Sequence, residues 1–404
     1  MKLSEICSLL LSLTLSTAMI CSCSGSPSTA NETGDSQDDD TSDNEQVADM
    51  SAMEIAKDMG IGINLGNTFD AYYGDETRIY SGAQIIGDNS PTNYETCWGS
   101  PETTKDIIDG FKEAGFNTVR VPVYWGNMME EDGSYTINPD YISRVSEVVD
   151  WILEDEMYCV INIHHYDGVL ITNHPQDEVV SAIETLWTQI AEYFKDYPDK
   201  LIFEGFNEQL GSTQKDSDTV YTEDMLYEYV NEMNQTFVDA VRNTGGNNSD
   251  RMLIISGYNT NIDKTTYFKF KLPEDSADDK LMVSVHYVDN MMYWTNQLGT
   301  EAWYNYSVSQ CELLKNAFSD KGIPVFIGEC TSVKSYNDPG RIPDGAEYSD
   351  PLEIFKTELE IITDYGFVPV IWDTANDWYN RSELRFNNAE DGEAVLEIAE
   401  KISK

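Results

Sequence analysis

From residue 50 to the C-terminus, short apolar runs rich in β-branched residues alternate with longer stretches whose apolar positions recur at helical spacing. This alternation restricts the fold more than any other feature, because a strand followed by a helix returns to a parallel neighbour. Eight runs read as strands: Ile61–Leu65, Thr118–Val123, Tyr158–His164, Leu201–Asn207, Met252–Ser256, Leu281–His286, Pro324–Glu329 and Val368–Trp372. Between them, Glu102–Ala114, Tyr141–Glu154, Val179–Phe194 and Leu352–Tyr365 carry the one-sided apolar stripe of amphipathic helices. The pattern predicts an α/β fold, a closed (β/α)8 TIM barrel, as one domain over residues 50–404 with enlarged loops after its strands. An open doubly wound sheet is the competing arrangement, but no glycine-rich phosphate loop follows the first strand.

Residues 1–23 read as an export signal. Leu9 to Ile20 is apolar but too short to span a bilayer comfortably, and Ser22 before Cys23 gives the spacing of a bacterial lipoprotein signal. Cys23 is then the lipidated residue, and the mature protein is expected at the cell surface or secreted, touching a membrane only through that anchor. Residues 24–49 hold no Lys, Arg or aromatic residue, which predicts a disordered acidic spacer. The net charge of −47 excludes a nucleic-acid role and disfavours anionic polysaccharides, whereas a neutral polymer is compatible with it. Cys97, Cys159, Cys311 and Cys330 lack metal-ligand spacing and require no disulfide. A monomer without cofactor is expected.

In a barrel of this kind the chemistry sits at the C-terminal ends of the strands. Those ends are polar here: Arg120 on the second, His164 and His165 on the third, Asn207 and Glu208 on the fourth. His286 ends the sixth, Glu329 the seventh and Trp372 the eighth. Three of the four histidines fall at such ends, a placement that chance explains poorly. With no Ser-His or Cys-His pair, two carboxylates on opposed strands fit glycoside hydrolysis best: one protonates the leaving oxygen, the other attacks C1 or activates water. A zinc site from His164, His165 and a Glu is the rival, but successive strand residues face opposite sides, so no metal is expected.

The motifs in chain order are Gly62–Thr68 (GINLGNT), Cys97–Gly99 (CWG), Phe116–Val123 (FNTVRVPV), Ile161–His165 (INIHH) and Phe203–Glu208 (FEGFNE). Gly257–Thr260 (GYNT), Ile327–Glu329 (IGE) and Ile371–Asp373 (IWD) follow. From about Met53 onward the chain thereby resembles glycoside hydrolase family 5, most closely its subfamily 4 of bacterial endo-glucanases and xyloglucanases. The resemblance implies Glu208 as general acid and base, Glu329 as nucleophile, and Asn207 on the sugar 2-hydroxyl. It implies Arg120 beside Glu329, with His164, His165 and His286 as substrate contacts and Trp372 as the stacking floor. Asn67 and Asp70 match positions that contact sugars further out.

Two departures from the family pattern stand out. Gln209 replaces the usual Pro after the acid-base Glu. The usual His-x-Tyr of strand six reads His286-Tyr287-Val288, and strand alternation puts Val288, not Tyr287, on the face of His286. The nucleophile then lacks a tyrosine hydrogen bond unless Tyr287 or Tyr293 supplies it. Tyr72, Tyr73, Tyr80, Tyr94, Trp98, Trp125, Trp294, Trp303 and Trp378 are rim aromatics suited to outer sugars, each with core packing as the competing role. The expected activity is retaining, endo-acting cleavage of β-1,4-linked glucan backbones: cellulose-like, mixed-linkage or xyloglucan. Endo-mannanase or xylanase activity on the same site, and a surface glycan-binding lipoprotein, are the alternatives.

Overall fold

The computed structural model describes residues 47, 50–73, 85–130, 133–165, 175–210, 221–331, 341–375 and 377–404. The leader, the spacer up to residue 46, and Tyr80 lie outside them. Eight parallel strands close into a barrel in sequence order: β1 (Gly62–Asn64), β2 (Thr118–Val121), β3 (Tyr158–Asn162), β4 (Leu201–Glu204), β5 (Leu253–Ser256), β6 (Leu281–His286), β7 (Val325–Cys330) and β8 (Val368–Ile371). Helices Lys105–Glu113, Pro139–Glu154, Gln176–Phe194, Glu223–Asn243, Glu301–Ala317, Pro351–Asp364 and Ala389–Ile402 surround it. After β5 the connection carries a 3-10 turn, Tyr258–Thr260, and the short helix Ile262–Thr265, and a small hairpin, β9 (Tyr379–Asn380) with β10 (Arg385–Phe386), follows β8. Among the described residues no helix is long and apolar enough to cross a membrane.

Strand parity sorts the side chains. Odd-numbered residues such as Ile63, Val119, Val121, Ile161, Phe203, Ile255, Val283 and Ile327 join the cluster under the helices. Even-numbered ones such as Val160, Ile202, Ile254, Met282, Phe326, Val368 and Val370 fill the barrel. Helix Ala52–Met59 plugs the N-terminal mouth with Ile55, Ala56 and Met59, and a capping box between Ser51 and Glu54 starts that helix. Each such apolar side chain contributes roughly 1.5–3 kcal/mol by leaving water. One layer further up, the inward residues become polar: Asn64, Arg120, Asn162, Glu204 and Ser284, all fully buried. That layer supports the site.

β2, β3 and β4 end two or three residues before the bounds expected from the sequence. Single ladder-like bonds continue upward, from His164 N to Val123 O and from Asn207 N to Ile163 O. The chain is already bending inward there, which carries His164 and Asn207 from the wall over the mouth.

Candidate active site

Arg120 is the hub of the polar layer. Its Nε donates to Glu204 (2.7 Å), one terminal nitrogen to Asn64 (2.9 Å) and Glu329 Oε1 (3.4 Å), and the other to Asn207 (2.9 Å). Asn64 also donates to the carbonyls of Gly328 and Ile371, so β1 ties Arg120 to the strands on the far side. A guanidinium this deep is stable only because every partner is charged or strongly polar.

Glu208 and Glu329 meet above this layer with His286 between them. His286 Nδ1 lies 3.2 Å from Glu208 Oε1 and 3.6 Å from Glu329 Oε2. The three residues each offer an atom within 4.8 Å of the others. The Glu208 side chain is 50% exposed and that of Glu329 only 8%. One carboxylate therefore faces the open cleft and the other is held beneath it.

The expectation for strand six is corrected. The ladder between β6 and β7 slips at His286, which pairs with Glu329 rather than Gly328, and β7 slips against β8 as well. The slip turns Glu329 into the mouth, where regular alternation from Phe326 would have turned it outward. A Cβ at Gly328 would stand 3.0 Å from Ser284 Oγ and 3.1 Å from His286 Nε2, so a side chain there would crowd both. Tyr287 then adopts a positive φ of 44° and swings its hydroxyl inward to donate to Glu329 Oε2 at 3.0 Å. Val288 is fully buried in the outer core. The hydroxyl is therefore present one position earlier than the family spacing. Burial and the two carboxylates keep the Tyr287 phenol protonated, well above its ordinary value, so it serves as donor. Tyr287→Phe is expected to slow kcat by about one to two decades, the worth of one hydrogen bond to a charged group. Val288→Tyr should give no gain in rate and should lower stability by about 1–3 kcal/mol through overpacking. Steady-state kinetics and thermal melts of the two variants check this.

One wall is built by His164 and Trp372, whose rings lie parallel with centroids 5.9 Å apart. Gly66 lets the indole approach β1: a Cβ there would stand 2.7 Å from Asp373 O and 3.0 Å from the Trp372 ring. Burial, helped by His165, Arg120 and His286, holds the His164 imidazole well below its ordinary range, so it stays neutral. Asn67, partly exposed and with φ of 55°, opens the loop after β1, and the Ser100 hydroxyl fixes its carbonyl. Asp70 follows in the same loop. It is 1% exposed, accepts from Thr68 N, and lies behind His165 with 3.9 Å between Oδ2 and Nε2. Burial raises Asp70 to about 6 and lowers His165 to about 4.

His164 and His165 do converge despite being adjacent, because the chain has left the ladder at that point. With Asp70 they offer three atoms within 4.8 Å of one another, the grouping outside the carboxylate pair that could hold a metal ion among the described residues. The rim aromatics divide sharply. Trp125, Trp303, Trp378 and Tyr94 are core residues, whereas Tyr73, Trp98 and Trp294 are 55%, 42% and 66% exposed. Trp98 donates to Tyr72 O beside His165. Tyr293 and Trp294 lie under the Arg341 guanidinium, and the hydrogen bond to Glu329 is made by Tyr287. Gln209 is buried and donates to His164 O, joining the loops after β3 and β4. Sequence reasoning overlooked Glu204, Ser284 and Arg381. Arg381 binds Gly66 O, Thr68, Asn64 O and Asp373, clamping the loops after β1 and β8 under Trp372. Its only signal was an isolated Arg in a polar loop.

In the open cleft, burial raises the Glu329 carboxyl, with His286 and Arg120 pulling the other way. Glu208 is desolvated in part, but the His286 hydrogen bond and, after it, the Arg120 charge hold it below its ordinary value. The two titrate as a pair.

Residues 81–377 match the family model described as cellulase, glycosyl hydrolase family 5. Endoglucanase A of Clostridium longisporum is 37% identical over 314 residues, 73% of this chain and 56% of that protein, so the chain spans little more than half its length. A xyloglucan-specific endo-β-1,4-glucanase of Bacteroides ovatus is 36% identical over 252 residues, 61% of this chain and 47% of that one. Among solved structures, a broad-specificity GH5-4 endoglucanase from an uncultured bovine rumen ciliate superposes with a TM-score of 0.74. It is 34% identical, covering 87% of this chain and 99% of its own.

Proposed function

The chain belongs to glycosyl hydrolase family 5, and from that premise we propose that it is a retaining endo-β-1,4-glucanase with Glu208 as acid and base and Glu329 as nucleophile. The observation that carries the residue assignment is the asymmetry of the carboxylate pair. Glu329 has Arg120 and Tyr287 fixing one oxygen each beneath the cleft, as a nucleophile requires. Glu208 is open to the cleft, where a leaving oxygen would stand. An oxygen of each lies within 4.8 Å of one on the other, close for a pair that would have to be roughly 6.5–9.5 Å apart to invert, which favours double displacement.

Substrate completes the electrostatics. A glucan lying across the cleft strips water from the exposed Glu208 and raises that carboxyl, whereas Glu329 is already dry and keeps Arg120. The proton then sits on Glu208, facing the glycosidic oxygen, and Glu329 faces C1 as the anion. His164 stays neutral and Trp372 supplies an apolar face for the sugar ring. A surface protein that merely holds glycan has no use for the Arg120–Glu329–Tyr287 arrangement, which disfavours the non-enzymatic alternative.

The relatives' names support β-1,4-glucan backbones, with the broad-specificity and xyloglucan-specific enzymes marking the range. Reducing-sugar release from barley β-glucan, xyloglucan, carboxymethyl cellulose, glucomannan and xylan tests this. The expected order places the three glucans above glucomannan and xylan, and a preference for xylan or glucomannan would overturn it. Export with a lipid on Cys23 follows from the leader and spacer composition. Cys23→Ser is expected to abolish incorporation of labelled fatty acid, and unchanged labelling would refute the anchor.

A further inference from the structure

Glu204 is the one carboxylate of the inner polar layer for which the reaction above has no use. It ends β4, directly below Asn207 and Glu208, and is fully buried. Both of its oxygens are engaged: Oε1 accepts from Ser284 Oγ at 2.7 Å, and Oε2 accepts from Arg120 Nε at 2.7 Å and Asn162 Nδ2 at 3.0 Å. Three strands thus converge to hold an anion in the barrel interior. Two hydrogen bonds from neutral donors and one from a cation are what such a site needs to keep a carboxylate charged without water.

We propose that Glu204 is a positioning residue that acts through Arg120: it fixes the guanidinium plane and takes a share of its charge, so that Arg120 holds Glu329 and Asn207 in place without over-stabilising the nucleophile. The inference rests on Glu329 being that nucleophile. The geometry supports it in two ways. Arg120 meets Glu204 at 2.7 Å but Glu329 at 3.4 Å, so its stronger bond is to the residue that takes no part in bond making. The same guanidinium reaches Asn207 at 2.9 Å, so a rotation about the Nε–Glu204 bond would displace both the Asn207 amide and the nucleophile. A nucleophile paired with an undivided cation would be ionised readily but would attack weakly. One paired with no cation would be protonated at working pH.

The charged and titratable groups facing Glu329 are Arg120 from β2, Glu208 after β4, and His286 with Tyr287 at the end of β6. Among the described residues the ion pair that Glu204 makes is the one with Arg120. Glu204→Gln keeps the shape and removes the charge. Arg120 then acts on Glu329 undivided, and the acid limb of kcat/KM should move down by about one pH unit. kcat should fall by about tenfold or more through the weaker nucleophile. Glu204→Asp keeps the charge, and its acid limb should stay at the wild-type position although kcat falls from the shortened reach. A purely structural Glu204 would lower the melting temperature of both variants and leave the limb unmoved in both, which overturns the proposal. If Glu204→Gln does not fold, Glu204→Asp decides. A fall in kcat of at least about fivefold with KM within about twofold supports positioning, and an unchanged kcat refutes it. Glu329→Ala measured alongside separates the two readings, since activity surviving in that variant removes the nucleophile assignment whatever Glu204 does.

Discussion

Glu208→Ala is expected to lose about two to four orders of magnitude in kcat on polymeric β-glucan, the usual worth of a positioned general acid. The loss should shrink sharply on an aryl cellobioside with a dinitrophenolate leaving group, which departs without a proton. Because Glu208 also serves as the base for the second step, the glycosyl-enzyme should accumulate on such substrates and show a burst. Azide needs no deprotonation, enters the space vacated by the half-exposed carboxylate, and should speed turnover while yielding a β-glycosyl azide. His286 constrains the outcome. Its Nδ1 lies 3.2 Å from Glu208 and 3.6 Å from Glu329, so removing Glu208 leaves it to face the nucleophile alone. The alkaline limb of the pH profile, set by the acid, should vanish in the variant. Equal losses on polymer and activated glycoside, with no azide product, would remove Glu208 from the role.

The barrel was legible because its strands, buried on both faces, read as short unbroken apolar runs, whereas helix burial has a period of 3.6 and gives longer one-sided stripes. The site was legible where a polar side chain broke an apolar run at a strand's end, as Arg120, Asn207, Glu208 and His286 do. What escaped depended on another strand. Tyr287 reaches Glu329 because the ladder slips beside Gly328, some forty residues further along, and nothing in His286-Tyr287-Val288 itself announces the slip. Asp70 lies 3.9 Å from His165, a neighbour that its place in the sequence does not announce. Glu204 looked like one more residue of a strand motif, and its place in the barrel emerged only with the partners from β2, β3 and β6. Trp303 and Trp294 differ in composition not at all, yet one is sealed against Asp289 and the other is two-thirds exposed.

Glu329→Ala is expected to be the most damaging single change, lowering kcat on every substrate by about four orders of magnitude or more, because no group remains to attack C1. Unlike Glu208→Ala, it should not be spared on activated glycosides. In the wild type, NMR during hydrolysis should show the β-anomer of the new reducing end first, with the α-anomer appearing only by mutarotation. An early α-product would point to direct attack by water and would exclude the covalent route. A 2-deoxy-2-fluoro glycoside should label the peptide that contains Glu329 and no other. The pH dependence follows from the environment of this carboxyl. Burial raises it, so activity should begin to fall on the acid side at a pH above the ordinary carboxylate range. The sign is fixed by which form is needed: the anion attacks, so protonation on lowering the pH removes activity. Groups that favour the anion hold that limb down, and Tyr287 and Arg120 both do so. Tyr287→Phe should therefore move the acid limb upward, the opposite direction to that expected for Glu204→Gln. One titration series would thus place both residues on the same carboxylate. If Tyr287→Phe lowered the limb, or left it unmoved while the rate fell, the hydrogen bond would not be acting on the charge of Glu329, and its effect would have to lie in holding the oxygen in line with C1.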